Sequence, residues 1–339
     1  MELRKLAAEK GLIYGTAISA ASITSDPEFV DLVVHQAGAI VAENDMKWQA
    51  MNRGKPRDYN HGPADRVAAL ALENGLVLRG HNLLWYRSTP RWFFDLPTTR
   101  EMEEAIVAHI RSLAGRYRGK VHSWDVVNEP IEPEDGRPDG LRTAVFLDKM
   151  GLGYIDLAYH TAREADPTAR LVVNEYSVEL DSPEHEARRA ALLNLLEQMK
   201  RSGTPVDAVG IQAHLVCAGG GPPFSASRLR RFLAEIAGLG LTIQITELDV
   251  IDKDAPADQT LRDQLVADTY TRFLDAALDE PAVKMVVTWG LSDRYSWLAK
   301  SRRDQLPSRP LPFDVDLRPK SAFEAMARAF THAPQRGGE

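Results

Sequence analysis

The sequence holds a single cysteine, Cys217, so no disulfide can form within the chain and the fold has to rest on its apolar core. Without a partner thiol, Cys217 is expected to be a small buried residue rather than a reactive one. Nowhere do about 18 apolar residues run together, which excludes a membrane-spanning helix. The opening Met1-Glu2-Leu3-Arg4-Lys5-Leu6 has neither an apolar h-region nor a small-residue cleavage site and does not read as a secretory signal. Location therefore stays open: secreted or periplasmic if an export signal has been removed, cytoplasmic otherwise. Positive charge is also short. Lys and Arg number 41 against 48 Asp and Glu, a net charge of −7, so neither nucleic acid nor an anionic membrane is expected as a partner.

Several chemical signatures are missing as well. No Gly-x-Gly-x-x-Gly follows the first apolar run, and no Gly-x-Ser-x-Gly elbow occurs. His185-Glu186 continues as Ala187-Arg188-Arg189, without the second histidine of a zinc hydrolase helix. His81, His122 and His214 do not supply the three converging ligands that a catalytic zinc needs, so neither metal nor cofactor is expected.

What the chain does have is a rhythm. Apolar, β-branched runs at 12–18, 39–42, 76–78, 123–127, 171–173, 208–211, 242–245 and 285–288 are nearly continuous, as parallel strands buried on both faces should be. Helical patterns fill the gaps, over 29–36, 63–74, 98–118, 153–165, 184–201, 227–237, 261–278 and 321–330. Ser25 with Glu28 and Thr98 with Glu101 have capping-box spacing, Ser182-Pro183 opens another helix, and Gly38, Gly75 and Gly203 follow helix ends. Eight strands alternating with eight helices predict an α/β fold, one (β/α)8 TIM barrel over residues 1–331, with a tail at 332–339 that frays. An open doubly wound sheet is the alternative, disfavoured by the absent glycine fingerprint.

In a barrel of this kind the active site lies at the C-terminal ends of the strands. Reading those ends gives Glu43-Asn44-Asp45-Met46-Lys47-Trp48, His81-Asn82-Leu83-Leu84-Trp85, Asn128-Glu129, Asn174-Glu175-Tyr176, Gln212-Ala213-His214, Glu247-Leu248-Asp249 and Trp289. One glutamate after one strand would be an ordinary solvated residue. Two on nearly opposite strands, four and seven, suit the paired carboxylates of glycoside cleavage. Trp85, Trp289 and Trp297 offer faces for sugar rings, and the amides, imidazoles and Lys47 offer hydrogen bonds to hydroxyls. A Schiff-base site would need its lysine on an inner strand end, and Lys47 lies in a loop. A phosphate site would need a glycine-rich turn after strands seven or eight, where the chain reads Thr246-Glu247-Leu248-Asp249 and Trp289-Gly290-Leu291-Ser292.

These blocks, with Arg79-Gly80-His81-Asn82-Leu83-Leu84-Trp85, Trp124-Asp125-Val126-Val127-Asn128-Glu129, Gly210-Ile211-Gln212-Ala213-His214-Leu215, Ile245-Thr246-Glu247-Leu248-Asp249 and Trp289 to Trp297, resemble glycoside hydrolase family 10, the endo-β-1,4-xylanases, over roughly residues 3 to 331. The resemblance implies a retaining mechanism on xylan or xylo-oligosaccharides, with Glu129 as acid/base and Glu247 as nucleophile. It implies that Asn128 binds the substrate 2-hydroxyl and that His214, held by Asp249, orients Glu247, with Gln212 completing that network. Glu43, Asn44, Lys47, His81, Trp85, Trp289 and Trp297 would line the glycone subsites and Tyr176 the aglycone side. The family usually has His after the strand-three Trp and Gln two residues later, where this chain has Tyr86 and Ser88, with Arg87 between. A monomer is expected. Three readings stay open from the residues: an endo-xylanase, a β-glucanase or other β-glycosidase using the same glutamates, and a non-catalytic carbohydrate-binding barrel.

Overall fold

The computed structural model describes residues 1–218, 223–302 and 304–337. Eight parallel strands form the barrel: β1 (Ile13–Ile18), β2 (Ala39–Ala42), β3 (Val77–Gly80), β4 (Val121–Asn128), β5 (Arg170–Glu175), β6 (Ala208–Ile211), β7 (Thr242–Ile251) and β8 (Val283–Thr288). Each pairs with the next, and β8 pairs back onto β1 from Met285 opposite Ile13 to Thr288 opposite Thr16. Closure leaves no barrel strand with an unpaired edge. The outer layer is α1 (Pro27–Gln36), α2 (Gly62–Glu73), α3 (Thr99–Arg116), α4 (Gly153–Ala165), α5 (Pro183–Ser202), α6 (Ala226–Gly238), α7 (Gln259–Ala277) and α8 (Ser321–His332). The expected TIM barrel is the observed one.

Local chemistry explains most of the boundaries. Thr98 accepts from the Glu101 amide at 3.2 Å and its hydroxyl donates to the Glu101 carboxylate at 2.6 Å, which closes the start of α3 from both sides. Ser182 caps α5, and Gly203 ends it at φ 78°, a left-handed conformation that a Cβ would strain. The expected Ser25–Glu28 box is replaced by a different cap. Pro27 takes the first helical position, so the cap falls on Asp26, whose carboxylate accepts from the Phe29 amide at 3.0 Å. Ser25 instead ends a short preceding helix, Ala20–Ser25, and its hydroxyl donates to the Ala21 carbonyl.

Two further departures bear on stability and site. Strand β7 does not stop at 245 but runs to Ile251, because its second half pairs with the short segment His214–Val216. Glu247 and Asp249 therefore stand on a strand rather than in a loop. At the other end, the tail expected to fray is held in place up to Gly337. The Arg336 amide donates to the Lys10 carbonyl at 2.9 Å, and its guanidinium donates to the carbonyls of Leu278 and Val283 at 2.7 and 3.1 Å. Those carbonyls lie at the end of α7 and the start of β8, where a cation is favourable. Gly338 and Glu339 lie outside the described residues. Cys217 is half-buried against the core, and burial pushes its thiol up to about 11, which keeps it unreactive.

Strand alternation separates two interiors. One face of the strands packs Tyr14, Ile40, Leu78, Trp124 and Ile243 among the helices. The other lines the barrel axis, with Ala17, Val41, Met285, Val287 and Trp289 in one apolar cluster. Beside that cluster lies a polar layer. The fully buried Arg79 donates through Nη1 to Asp125 at 2.6 Å and through Nε to Gln244 at 2.9 Å, and Ser123 donates to the same Gln244 oxygen. The other end of this layer reaches the rim, where His81 Nδ1 sits 2.7 Å from Asp125 Oδ2. Removing one partner of such a pair leaves a charge stranded in a dry interior. Asp125→Ala should therefore lower unfolding stability by about 3–5 kcal/mol, read as a shifted urea midpoint. Removing the exposed Arg100–Glu104 pair should change stability by no more than about 0.5 kcal/mol. Similar small effects for both would mean that Arg79 finds another anion.

Candidate active site

Because β7 continues past the barrel proper, Glu247 and Asp249 project from one strand at a spacing of two and face the same side. The Glu247 amide donates to the Gln212 carbonyl at 3.0 Å and the Asp249 amide to the Ala213 carbonyl at 3.3 Å, fixing them against the end of β6. His214 lies between the two carboxylates. Its Nδ1 is 2.9 Å from Asp249 Oδ1 and its Nε2 is 3.4 Å from Glu247 Oε2. The second Asp249 oxygen accepts the Trp297 indole N–H at 2.7 Å, and the Trp297 ring meets His214 edge-on with centroids 5.3 Å apart.

Burial pushes the Glu247 carboxyl toward its neutral form. The His214 hydrogen bond and the charges of His81, His214 and Lys47 outweigh it and hold the carboxyl down at about 2. Burial equally disfavours a charged His214, but there Asp249 first and then Glu247 prevail, and the imidazole is held well above its ordinary range. The three side chains thus form an alternating anion, cation, anion row.

Glu129 follows β4 on the far side of the barrel. Its φ of 57° places a non-glycine residue in the left-handed region, which costs roughly 1–3 kcal/mol and needs support. Support comes from its amide, which donates to the Asn174 carbonyl at 2.8 Å, and its carbonyl, which accepts from Arg142 Nε at 2.9 Å. One carboxylate oxygen accepts from Gln212 Nε2 at 3.2 Å and Asn128 Nδ2 at 3.3 Å. The Asn174 amide nitrogen joins the two sides of the mouth. It donates to Asn128 Oδ1 and to Glu247 Oε1, both at 2.8 Å, while its own oxygen accepts from Thr246. Gly210 makes room for it, since a Cβ there would lie 2.2 Å from the Asn174 oxygen.

The remaining expected residues gather around this frame. Lys47 donates to Asn44 at 2.8 Å and stands over the Trp85 ring at 4.9 Å and the Trp289 ring at 5.9 Å. Burial pulls the Lys47 ammonium below its ordinary value against the pull of Glu247, Glu43 and Glu129. Burial also raises Glu43, with Lys47 opposing. His81 packs edge-on against Trp289 at 5.1 Å. Tyr176 lies toward Glu129: its hydroxyl donates to Glu132 at 3.1 Å and accepts from Arg142 at 2.9 Å.

One placement departs from expectation. Gln212 was expected in the Glu247–His214 network, but its amide reaches across to Glu129, because its side chain and its backbone carbonyl serve opposite glutamates. Sequence reasoning also passed over Asn174, although it ends an apolar run as Asn128 does. It gave no role to Glu175, which accepts from the Ile131 and Tyr176 amides and so props the turn just after Glu129. Burial, with the Glu129 charge adding to it, pushes Glu175 up to about 8 against Arg188.

A titration tests the cause assigned to Glu247. Its folded value lies below the ordinary one, so it should stay ionised as pH falls and take its proton only near pH 2. In His214→Ala the largest opposing contribution is gone, burial gains, and protonation should move to higher pH. Carboxyl 13C NMR follows this directly. An unmoved titration would place the cause in Lys47 or His81.

The model of glycosyl hydrolase family 10 matches residues 2–329 of this chain. Endo-1,4-beta-xylanase A of Fusarium oxysporum f. sp. lycopersici is 36% identical over 295 residues, covering 84% of this chain and 85% of that protein. The Beta-1,4-xylanase of Dictyoglomus thermophilum is 32% identical over 324 residues, covering 91% and 87%. Among solved structures, native xylanase 10B from Thermotoga maritima superposes with a TM-score of 0.87 at 29% identity, over 97% of this chain and 98% of that one. Xylanase 10B from Thermotoga petrophila, solved with xylobiose, gives 0.86 at 29% identity and 97% of each chain. With that match running from residue 2 to residue 329 of a barrel with two glutamates across its mouth, the chain belongs to glycosyl hydrolase family 10.

Proposed function

We propose that the chain is a retaining endo-1,4-β-xylanase in which Glu247 is the nucleophile and Glu129 the acid/base. The observation that carries the assignment is electrostatic. Glu247 is buried, yet its carboxyl is held at about 2, so it is anionic wherever the protein works. A nucleophile must be charged before substrate arrives, and among the described residues no other rim carboxylate has a cationic imidazole locked behind it by a second acid. Glu129, across the mouth, accepts instead from two neutral amides, Gln212 and Asn128.

In the first step Glu247 attacks the anomeric carbon while Glu129 gives its proton to the departing glycosidic oxygen, leaving a glycosyl ester on Glu247. In the second, Glu129 takes a proton from water as that water displaces Glu247, and net retention results. Asn128 gives up its long contact to Glu129 for the substrate 2-hydroxyl, a hydrogen bond that strengthens as positive charge builds on the ring. Glu43, Asn44, Lys47, His81, Trp85, Trp289 and Trp297 line the glycone side, and Tyr176 the aglycone side. Every named group comes from one chain, so a monomer suffices, and the chemistry calls for no metal or cofactor.

The two glutamates should fail differently. Glu247→Ala should lose turnover of every substrate, because no covalent intermediate can form. Glu129→Ala should keep the first step for aryl xylobiosides with good leaving groups, which need little protonation. Added azide should then restore turnover and yield a β-glycosyl azide. An α product would reverse the roles.

Substrate choice rests on Trp297. Its ring is 54% exposed, yet its indole nitrogen is pinned to Asp249. An exposed ring that cannot swing is a wall. Xylose lacks the exocyclic hydroxymethyl of glucose, so a wall against that edge admits the one and clashes with the other. Aryl xylobioside should be preferred over aryl cellobioside in kcat/KM by about tenfold or more, equivalent to ~1.4 kcal/mol, and Trp297→Ala should narrow the ratio. A native preference for cellobioside would remove the xylanase reading and leave a glucanase of the same family.

A further inference from the structure

Beside the glycone side lies a second cavity, an open pocket of about 590 Å³ that the reaction itself does not need. Its wall includes Asn44, Lys47 and Trp85, so it is continuous with the sugar-binding cleft, and then Arg53, Arg87 and Arg91. Four cations line it and no carboxylate does among the described residues, in a chain whose net charge is −7. Elsewhere on this surface arginines are mostly matched, as Arg116 is with Asp65, Arg230 with Asp279 and Arg309 with Asp263. Arg53 and Arg91 have no ion-pair partner among the described residues. Arg87 donates to the Tyr86 hydroxyl at 2.7 Å and faces the Glu129 charge. Lys47 is likewise committed, since it faces Glu43, Glu129 and Glu247. Arg53 and Arg91 are therefore the surplus.

Unpaired guanidinium groups around a concave space repel one another unless an anion joins them, and their planar fork matches a carboxylate. The volume is within the range that holds a ligand the size of a sugar ring. Ser88 also lines the pocket, at the position where the family usually has glutamine, and a shorter side chain leaves more room. We infer that this pocket receives an anionic branch of the substrate, a hexuronic acid carried on a glycone-side xylose, with its carboxylate held by Arg53 and Arg91. The inference rests on the xylanase reading and extends it: the enzyme favours acidic xylo-oligosaccharides over unbranched ones of the same backbone length.

The test compares three substrates with one backbone. The first is unbranched, the second carries a single glucuronic acid on a glycone-side xylose, and the third carries the methyl ester of that branch, with the same shape and no charge. The acid should exceed the ester in kcat/KM by about fivefold or more at low ionic strength, and the margin should shrink in 0.5 M salt as the charges are screened. In the Arg53→Gln, Arg91→Gln double variant, acid and ester should become equal, while the unbranched substrate is cleaved as before. Equal rates for acid and ester in the native enzyme would overturn the inference, as would a double variant that loses all three substrates alike. Failure to cleave even the unbranched substrate would strike at the xylanase reading instead. The pocket would then be judged by calorimetric titration with the acidic oligosaccharide, where equal affinity in native and double variant overturns it.

Discussion

A carboxylate has to carry its charge inside a barrel mouth whose walls exclude most water, and the arrangement around Glu247 follows from that constraint. Burial pushes Glu247 toward neutrality, so cations must stand close, and each of those is itself a buried charge that needs an anion. His214 supplies the nearest cation and is held charged by Asp249. Lys47 supplies another and is itself depressed by burial, offset by the three glutamates it faces. The result is a set of groups none of which is stable in its charge state alone. Removing one member would leave the others with burial uncompensated, which is why β7 must run on past the barrel to keep Glu247 and Asp249 at a fixed spacing.

The two sides of the mouth must also be kept in register without an ion pair between them, since Glu129 and Glu247 repel when both are charged. Neutral amides solve this. Asn174 donates to both Asn128 and Glu247, Gln212 reaches Glu129, and the Gln212 carbonyl holds the Glu247 amide. An amide can bind a carboxylate or the 2-hydroxyl of a sugar with little electrostatic reorganisation, so the same frame suits the resting enzyme and the covalent intermediate. The frame depends on Gly210, whose missing side chain is the space that Asn174 fills.

What the sequence made visible was whatever repeats locally. β-branched runs located all eight strands, two of them, Ala39–Ala42 and Ala208–Ile211, to the residue. Thr98 and Ser182 announced α3 and α5, because a cap is read within a few residues. Glu129, Glu247, His214 and Asp249 stood out because they follow apolar runs. What stayed hidden depends on closure of the barrel. Nothing near Arg79 announces that its partners are Asp125 and Gln244, nor does the tail show that Arg336 will find Leu278 and Val283. Gln212 is a case in between: its membership of the site was legible, but which glutamate it serves depends on the direction its side chain takes from the end of β6. Pro27 hid the true cap of α1, since a plausible box at Ser25 and Glu28 spans the same residues.

Asp249 joins two properties that are usually considered separately. One of its oxygens holds His214, and through it the charge on Glu247. The other holds the indole of Trp297, the side chain proposed above to exclude a hydroxymethyl group. The edge-on contact between Trp297 and His214 closes the triangle. In the proposed assignment, reactivity and sugar selection therefore share a single buried carboxylate. A substitution that loosens Trp297 frees an Asp249 oxygen and alters the field on His214, and one that neutralises Asp249 releases the wall while it weakens the imidazolium. In that assignment Trp297 cannot be altered without touching Glu247. Arg53 and Arg91 of the neighbouring pocket lie outside this triangle, so a change there leaves the charges on Asp249, His214 and Glu247 as they are.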